Sequence, residues 1–239
     1  MKVLGVIGAR AGSKGVPKKN SRLLGDVPLI AHAIRTGLAA KNIDRLVFST
    51  EDDHLAELAR EHGIDVPFMR PHHLASDQAT AIDVSKHALL AMDGLGYRAN
   101  IVVHIFPTSP FLSPKSVDAA IDLVKGGHDS AIGVQSAGHY HPFKSVVFKD
   151  NNEVTPFLDD PAVHAGINRQ DLKDVFYRGG GLFVRRRELL DEWDGIDFCL
   201  GKKCGGVVVD QIEAVNIDDE IDFLFADFLL HNQLTTLRN

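Results

Sequence analysis

Val3-Leu4-Gly5-Val6-Ile7-Gly8-Ala9-Arg10-Ala11-Gly12-Ser13-Lys14-Gly15-Val16-Pro17-Lys18-Lys19-Asn20 decides how this chain is read. The apolar first half is interrupted by Arg10 and then by glycine, so it is too short to span a bilayer or to act as the apolar part of a secretion signal. It reads as a buried first strand. The second half places four cations, Arg10, Lys14, Lys18 and Lys19, within ten residues. Gly12 and Gly15 let the backbone turn tightly and bring N–H groups near a ligand, while Ser13 and Asn20 add neutral hydrogen-bonding groups. This chemistry suits a polyphosphate, with a solvated lysine-bearing surface loop as the alternative. The spacing matches neither Gly-x-x-x-x-Gly-Lys-Ser/Thr nor Gly-x-Gly-x-x-Gly, which excludes the P-loop ATPase and dinucleotide dehydrogenase readings.

Outward from this stretch, short β-rich runs alternate with amphipathic ones. Strands are predicted at Val3–Gly8, Arg45–Ser49, Ile101–Phe106, Ser130–Val134, Gly181–Val184 and Val207–Val209. Helices are predicted at Leu29–Ala40, His54–His62, Ile82–Met92, Lys115–Val124 and Asp219–Leu230, with Gly63 as a helix stop. Alternation of this kind points to a parallel α/β sheet, and near-continuous apolar strands suit a sheet covered by helices on both faces. Such a sheet binds its ligand at the carboxyl ends of its strands, where the glycine-and-cation loop stands. From His139 to about Tyr177 the pattern breaks. Pro142, Pro156 and Pro161 mix there with a short strand at Ser145–Phe148, which reads as an insertion for partner contact or substrate closure. No linker divides the chain, so residues 1–239 are taken as one domain.

Composition narrows the function classes. At 239 residues, with 44% hydrophobic and 24% charged content, the chain can bury a substantial core. Thirty-two acidic against 26 basic side chains give a net charge of −6, so no generic attraction to nucleic acid or an anionic membrane is expected, and any anion site must be local. Cys199 and Cys204 can neither staple a secreted fold nor supply four ligands to a structural zinc, and a reducing cytoplasm is expected. The histidines, including His72-His73 and His139 with His141, lack zinc-site spacing. Trp193, Phe223, Phe225 and Phe228 are assigned to helix-core packing rather than to stacking on bases.

Six blocks, in order, resemble the CMP-sialic acid synthetase family, the acylneuraminate cytidylyltransferases. They are the loop with Ala9-Arg10, Gly12-Ser13-Lys14-Gly15, Pro17 and Lys19-Asn20; Arg70-Pro71 with Leu74-Ala75-Ser76-Asp77 and Ala79; Pro107-Thr108-Ser109-Pro110; His141-Pro142-Phe143-Lys144; Asn168-Arg169-Gln170-Asp171-Leu172; and Asn216-Ile217-Asp218-Asp219-Glu220. The resemblance implies a Rossmann-like, mostly parallel sheet of the nucleotide-diphospho-sugar transferase type, with a small dimerisation insertion at about 139–176 and a homodimer. It further implies magnesium, and a reaction that joins the α-phosphate of CTP to the anomeric hydroxyl of an acidic, nine-carbon α-keto acid sugar with release of pyrophosphate.

Matching positions assign roles by the same resemblance. Arg10, Lys19 and Asp218 are the catalytic candidates. Ala9, Arg10, Gly12, Ser13, Lys19, Asn20, Arg70, Ala79 and Thr80 are expected at the nucleotide, and Asp218 with Asn216 at the metal. Phe106, Lys144, Arg169, Gly179 and Phe183 are expected on the acceptor side. Other readings stand beside these: a surface ion pair for Arg10, a plain salt bridge for Arg70, and helix capping for Asp77 and for Asp218.

The chain also departs from the family pattern. Asn216 stands where an acidic residue is usual, which removes one negative charge from the metal site, with Asp219, Glu220 and Asp222 near enough to compensate. Phe106 replaces a glutamine, and Tyr177-Arg178-Gly179-Gly180-Gly181-Leu182-Phe183 replaces Arg-x-Asn-Gly-Ala-Ile-Tyr. A buried hydroxyl left unpaired costs about 1–3 kcal/mol. An acceptor other than ordinary sialic acid is therefore expected, still acidic because Lys144 and Arg169 keep their cationic groups. The rivals are the same chemistry on a different acceptor or base, and a nucleotide-binding protein that has lost turnover.

Overall fold

The structure is a computed structural model that describes residues 1–13, 15–159 and 173–236. β1 (Val3–Gly8) lies inside a six-stranded sheet, and its pleat sends Val3 and Ile7 into one core layer and Leu4 and Val6 into the other. Burial on both faces is why this strand is a continuous apolar run. A small hairpin, β2 (Leu23–Leu24) and β3 (Val27–Pro28), leads into α1 (Leu29–Ala39). Then follow β4 (Arg45–Ser49), α2 (Asp53–Glu61), α3 (Ala81–Gly94), β5 (Ile101–Ile105), α4 (Pro114–Lys125) and β6 (Ser130–Ser136). A second hairpin, β7 (Val146–Phe148) and β8 (Val154–Pro156), precedes the long β9 (Phe176–Arg186), α5 (Arg187–Asp191), β10 (Cys204–Val208) and α6 (Glu220–His231).

The sheet order is β10-β6-β9-β5-β1-β4. β9 runs antiparallel to both β5 and β6, and the remaining pairings in the sheet are parallel. Ile30, Ile34, Leu55, Val117 and Ile121 bring α1, α2 and α4 onto one face. Ile82, Leu89, Met92 and Leu190 bring α3 and α5 onto the other. The mostly parallel sheet with helices on both faces is thus present. The expected strand at Gly181–Val184 is the inner part of an eleven-residue strand, and the one expected at Val207–Val209 begins earlier, at Cys204.

The helix α6 corrects one expectation. Phe223 is buried with Ala226 and Leu229, against Val16, Leu24 and Phe111, but Phe225 and Phe228 are 51% and 55% exposed and lie with Ile221 and Leu224 on the outer face. Apolar residues stand on more than one side of this helix, so its pattern does not mark which stripe turns inward, and 3.6-residue periodicity allows only one of them to do so. Trp193 packs at the edge of the second core layer. Part of the expected insertion, residues 160–172, lies outside the described residues.

Candidate active site

The loop leaving β1 borders a cavity of about 410 Å³ at the carboxyl ends of β1 and β5. Arg10, Ser13, Lys19 and Asn20 line it from the loop, Arg70, Ala79 and Thr80 from the segment before α3, and His104, Phe106 and Thr108 from β5 and its exit. Gly15 is there because nothing larger fits: a Cβ on it would come 2.1 Å from the backbone oxygen of Asp218. Asn20 is buried, and its amide donates to the carbonyl of Arg10 at 2.8 Å, so it shapes the loop from within. Lys19 Nζ donates to the carbonyl of Ile217 at 2.8 Å. Burial pulls the Lys19 ammonium below its ordinary pKa, against the carboxylates of Asp218 and Asp222.

The two arginines are held differently. Arg10 forms an ion pair with Asp77 at 2.8 Å, both side chains partly exposed. Arg70 is buried and donates to Glu51 at 2.6 Å and to the carbonyl of Ala9 at 2.7 Å, so Ala9 takes part through its backbone rather than as a wall of the cavity. Gly12 is exposed and lines no part of this cavity, and Lys14 lies outside the described residues. Capping of α3 falls to Thr80, which forms a capping box with Asp83, so Asp77 is not the cap. His104 lines the cavity without any motif having singled it out, and Thr108, inside the Pro107–Pro110 block, lines it without having been assigned a role.

A second cavity, of about 560 Å³, meets the first at Phe106 and Thr108. Its concavity comes from glycine. The pairing of β6 with β9 slips between Ile132, opposite Phe183, and Val134, opposite Arg178, and this bulge gathers Gly133, Gly179, Gly180 and Gly181 on the wall. Gly180 and Gly181 take φ of 74° and 51°, and a Cβ on Gly133 would come 2.3 Å from the oxygen of Gly179. Phe106 sits between His104 and Phe183, with ring centroids 4.5 and 5.9 Å away. Gln135, Tyr177 and Arg178 add polar groups, with the Tyr177 hydroxyl donating to Gln135 Oε1 at 2.7 Å. Only the register slip brings Gln135 and Tyr177 together. Lys144 is exposed on the turn Pro142–Lys144 and lines neither cavity, and Arg169 lies outside the described residues.

The segment before α6 closes the seam between the cavities. The N–H of Ile217 donates to the carbonyl of Thr108 at 2.8 Å. Asp219 is the N-cap of α6 and shares a capping box with Asp222, whose Oδ2 also accepts from the N–H of Asp218 at 2.9 Å. Glu220 pairs with Arg22 at 2.6 Å. Asp219 and Glu220 are thus engaged at the helix start, whereas Asp222, also part of the capping box, lines the second cavity together with Asn216 and Asp218. The cap is Asp219 and not Asp218. Asp218 faces the second cavity, its Oδ2 accepting from the Asn216 amide at 2.7 Å.

Among the described residues no group of three or more His, Cys, Asp or Glu side chains could hold a metal by itself. Magnesium, however, is commonly held by one or two carboxylates together with substrate phosphates and water. Asp218 meets that need, and Asn216 presents a carbonyl oxygen once its amide turns over. This donor set fits a cation shared with a bound triphosphate.

A mostly parallel, two-faced α/β sheet with a cationic glycine loop at the end of its first strand, opening on a second cavity, is the arrangement a nucleotidyltransferase requires. The chain belongs to the cytidylyltransferase family, whose model matches residues 4–189. It is 36% identical to the CMP-N,N'-diacetyllegionaminic acid synthase of Legionella pneumophila, over 96% of this chain and 97% of that one. It is 25% identical to a pseudaminic acid cytidylyltransferase of Campylobacter jejuni, over 96% of each. Its fold is similar to that of a CMP:2-keto-3-deoxy-manno-octonic acid synthetase solved with CTP, with a TM-score of 0.74 at 14% identity, covering 98% of this chain and 100% of that one.

Proposed function

We infer that this protein is a cytidylyltransferase that joins CMP from CTP to a sialic-acid-like nonulosonic acid sugar and releases pyrophosphate. The observation that carries this reading is the meeting of two cavities at Phe106 and Thr108, one walled by cations and glycine, the other by a glycine bulge and Asp218. The names of the relatives support the acceptor class.

Arg10 and Lys19 are assigned to the phosphates. Their charges neutralise the triphosphate and the charge that spreads over the phosphoryl oxygens as the sugar hydroxyl bonds to the α-phosphorus and pyrophosphate leaves. The shared wall orients hydroxyl and phosphate toward each other, so positioning supplies much of the acceleration. Enzymes of this type generally use a divalent metal. Magnesium is proposed here, held by Asp218 and Asn216, and supplies charge neutralisation when bound. Phe106 and Phe183 give the acceptor cavity an apolar wall in place of polar groups, which favours a sugar with an apolar substituent there over ordinary sialic acid.

A homodimer is proposed through the hairpin of β7 and β8, supported by the exposure of Val146, Val147, Phe148, Val154 and Phe157. Among the described residues no helix is long and apolar enough to cross a membrane, and a cytoplasmic site of action is proposed.

The test is CTP-dependent pyrophosphate release with magnesium and a panel of acceptors. Turnover with an acidic nonulosonic sugar supports the reading. Turnover only with another acceptor or base moves the substrate, and tight CTP binding with no release leaves a nucleotide-binding protein.

A further inference from the structure

His104 lies on a central strand and is only 3% exposed, yet its ring lines the nucleotide cavity. Its two nitrogens have different surroundings. Nδ1 stands 2.9 Å from Ser85 Oγ, and that hydroxyl donates its single hydrogen to the carbonyl of Ala81 at 2.8 Å. Both contacts form together only when Nδ1 carries the imidazole hydrogen and donates it to Ser85. The lone pair is then on Nε2.

The Cε1–Nε2 edge faces Gly8 at the mouth of β1. A Cβ on Gly8 would stand 3.5 Å from Cε1 and 3.6 Å from Nε2, so glycine leaves this edge uncovered. No hydrogen bond to Nε2 forms among the described residues. Burial, with the charges of Arg185 and Arg70, lowers the His104 pKa to about 3, which keeps the ring neutral. A buried acceptor of fixed tautomer, open toward a cavity, has the chemistry of a recognition group.

We propose that Nε2 of His104 accepts a hydrogen bond from the nucleoside of the bound triphosphate, from an exocyclic amine of the base or a ribose hydroxyl. If the donor is the amine, His104 selects cytosine over uracil, because uracil carries a carbonyl oxygen where cytosine carries the amine. Two acceptors would then face one another. This rests on the assignment of the cavity to CTP, and it adds to the phosphate and arginine contacts a group that tells one nucleoside from another.

Calorimetric titration of the full chain, wild type and His104→Leu, with CTP, UTP and 2′-deoxy-CTP in the presence of magnesium tests it. Leucine keeps an apolar side chain in the layer and removes the acceptor. CTP affinity should fall by about tenfold to a hundredfold in the variant. A UTP affinity that is unchanged or raised assigns the donor to the base, and an unchanged 2′-deoxy-CTP affinity assigns it to the ribose 2′-hydroxyl. Equal CTP affinity in a folded variant overturns the proposal while leaving the nucleotide site standing, whereas wild type that does not bind CTP removes the CTP assignment itself. Should the variant fail to fold, ¹⁵N spectra of the wild-type imidazoles decide. A Nε2 signal of the unprotonated type that moves on CTP addition supports the contact, and a protonated or unmoved Nε2 rejects it.

Discussion

Lys19 Nζ donates to the carbonyl oxygen of Ile217 at 2.8 Å, joining residues 198 positions apart in the chain. The loop after the first strand is thereby tied to the segment that carries Asn216 and Asp218, and Lys19 is drawn into partial burial where its charge is costly without anions nearby. An ammonium held this way belongs as much to the coupling of the two cavities as to the phosphates.

Lys19→Gln keeps an N–H donor of shorter reach and loses the charge, while Lys19→Met loses both. Both variants should lower kcat/KM by about a hundredfold or more, as expected for removal of a group that stabilises developing charge. Steady-state kinetics checks this. Near-normal turnover in Lys19→Gln would reduce Lys19 to a structural tie.

Asp218→Ala should abolish turnover without unfolding the protein, since the cap of α6 is Asp219. Asn216→Asp should act in the opposite direction on the metal. It puts a second carboxylate against Asp218, where the amide now donates at 2.7 Å, and should tighten Mn²⁺ or Mg²⁺ binding by about tenfold through added charge. Paramagnetic titration with Mn²⁺ reads this directly, and unaltered affinity would place the metal elsewhere.

Gly15→Ala should weaken CTP binding and turnover together. The new Cβ would meet the Asp218 backbone oxygen at 2.1 Å, and since the obstacle is backbone, the loop or the segment before α6 must move. Gly12→Ala, with open space around the position of the Cβ, is the control and should be tolerated. Calorimetry with CTP on both variants separates close approach from general loop flexibility.

Acid should destabilise the protein in part through His104. Its folded pKa of about 3 lies below the unfolded value of 6.5, so from pH 6.5 downward the unfolded chain takes up a proton that the folded ring refuses. Its contribution is complete above pH 6.5 and is lost as pH falls toward 3, by at most about 1.4 kcal/mol per pH unit. His32 and His87, also lowered by burial, act with the same sign. Urea denaturation of a folded His104→Leu variant between about pH 6.5 and 4.5 should show a shallower loss of stability than wild type. Equal slopes would mean that the ring is protonated in the native state.

What the sequence determined by itself is local. Alternating strands and helices, the run Val3–Gly8, and the glycine-and-cation loop depend on residue type and near neighbours, and each stands where it was expected. The order of the six family blocks also identified the chemistry, because each block carries its residues within a few positions. Three matters needed the tertiary structure. Which stripe of α6 turns inward depends on what packs against it, and Phe225 and Phe228 carry no local mark of facing out. The acceptor wall depends on a register slip between β6 and β9, which sets Gln135 beside Tyr177. His104 is an ordinary member of an apolar strand until Ser85 and Gly8 are brought to its two sides from elsewhere in the chain. A side chain's chemistry can be read from its type, but its direction and protonation follow from neighbours that only the closed fold supplies.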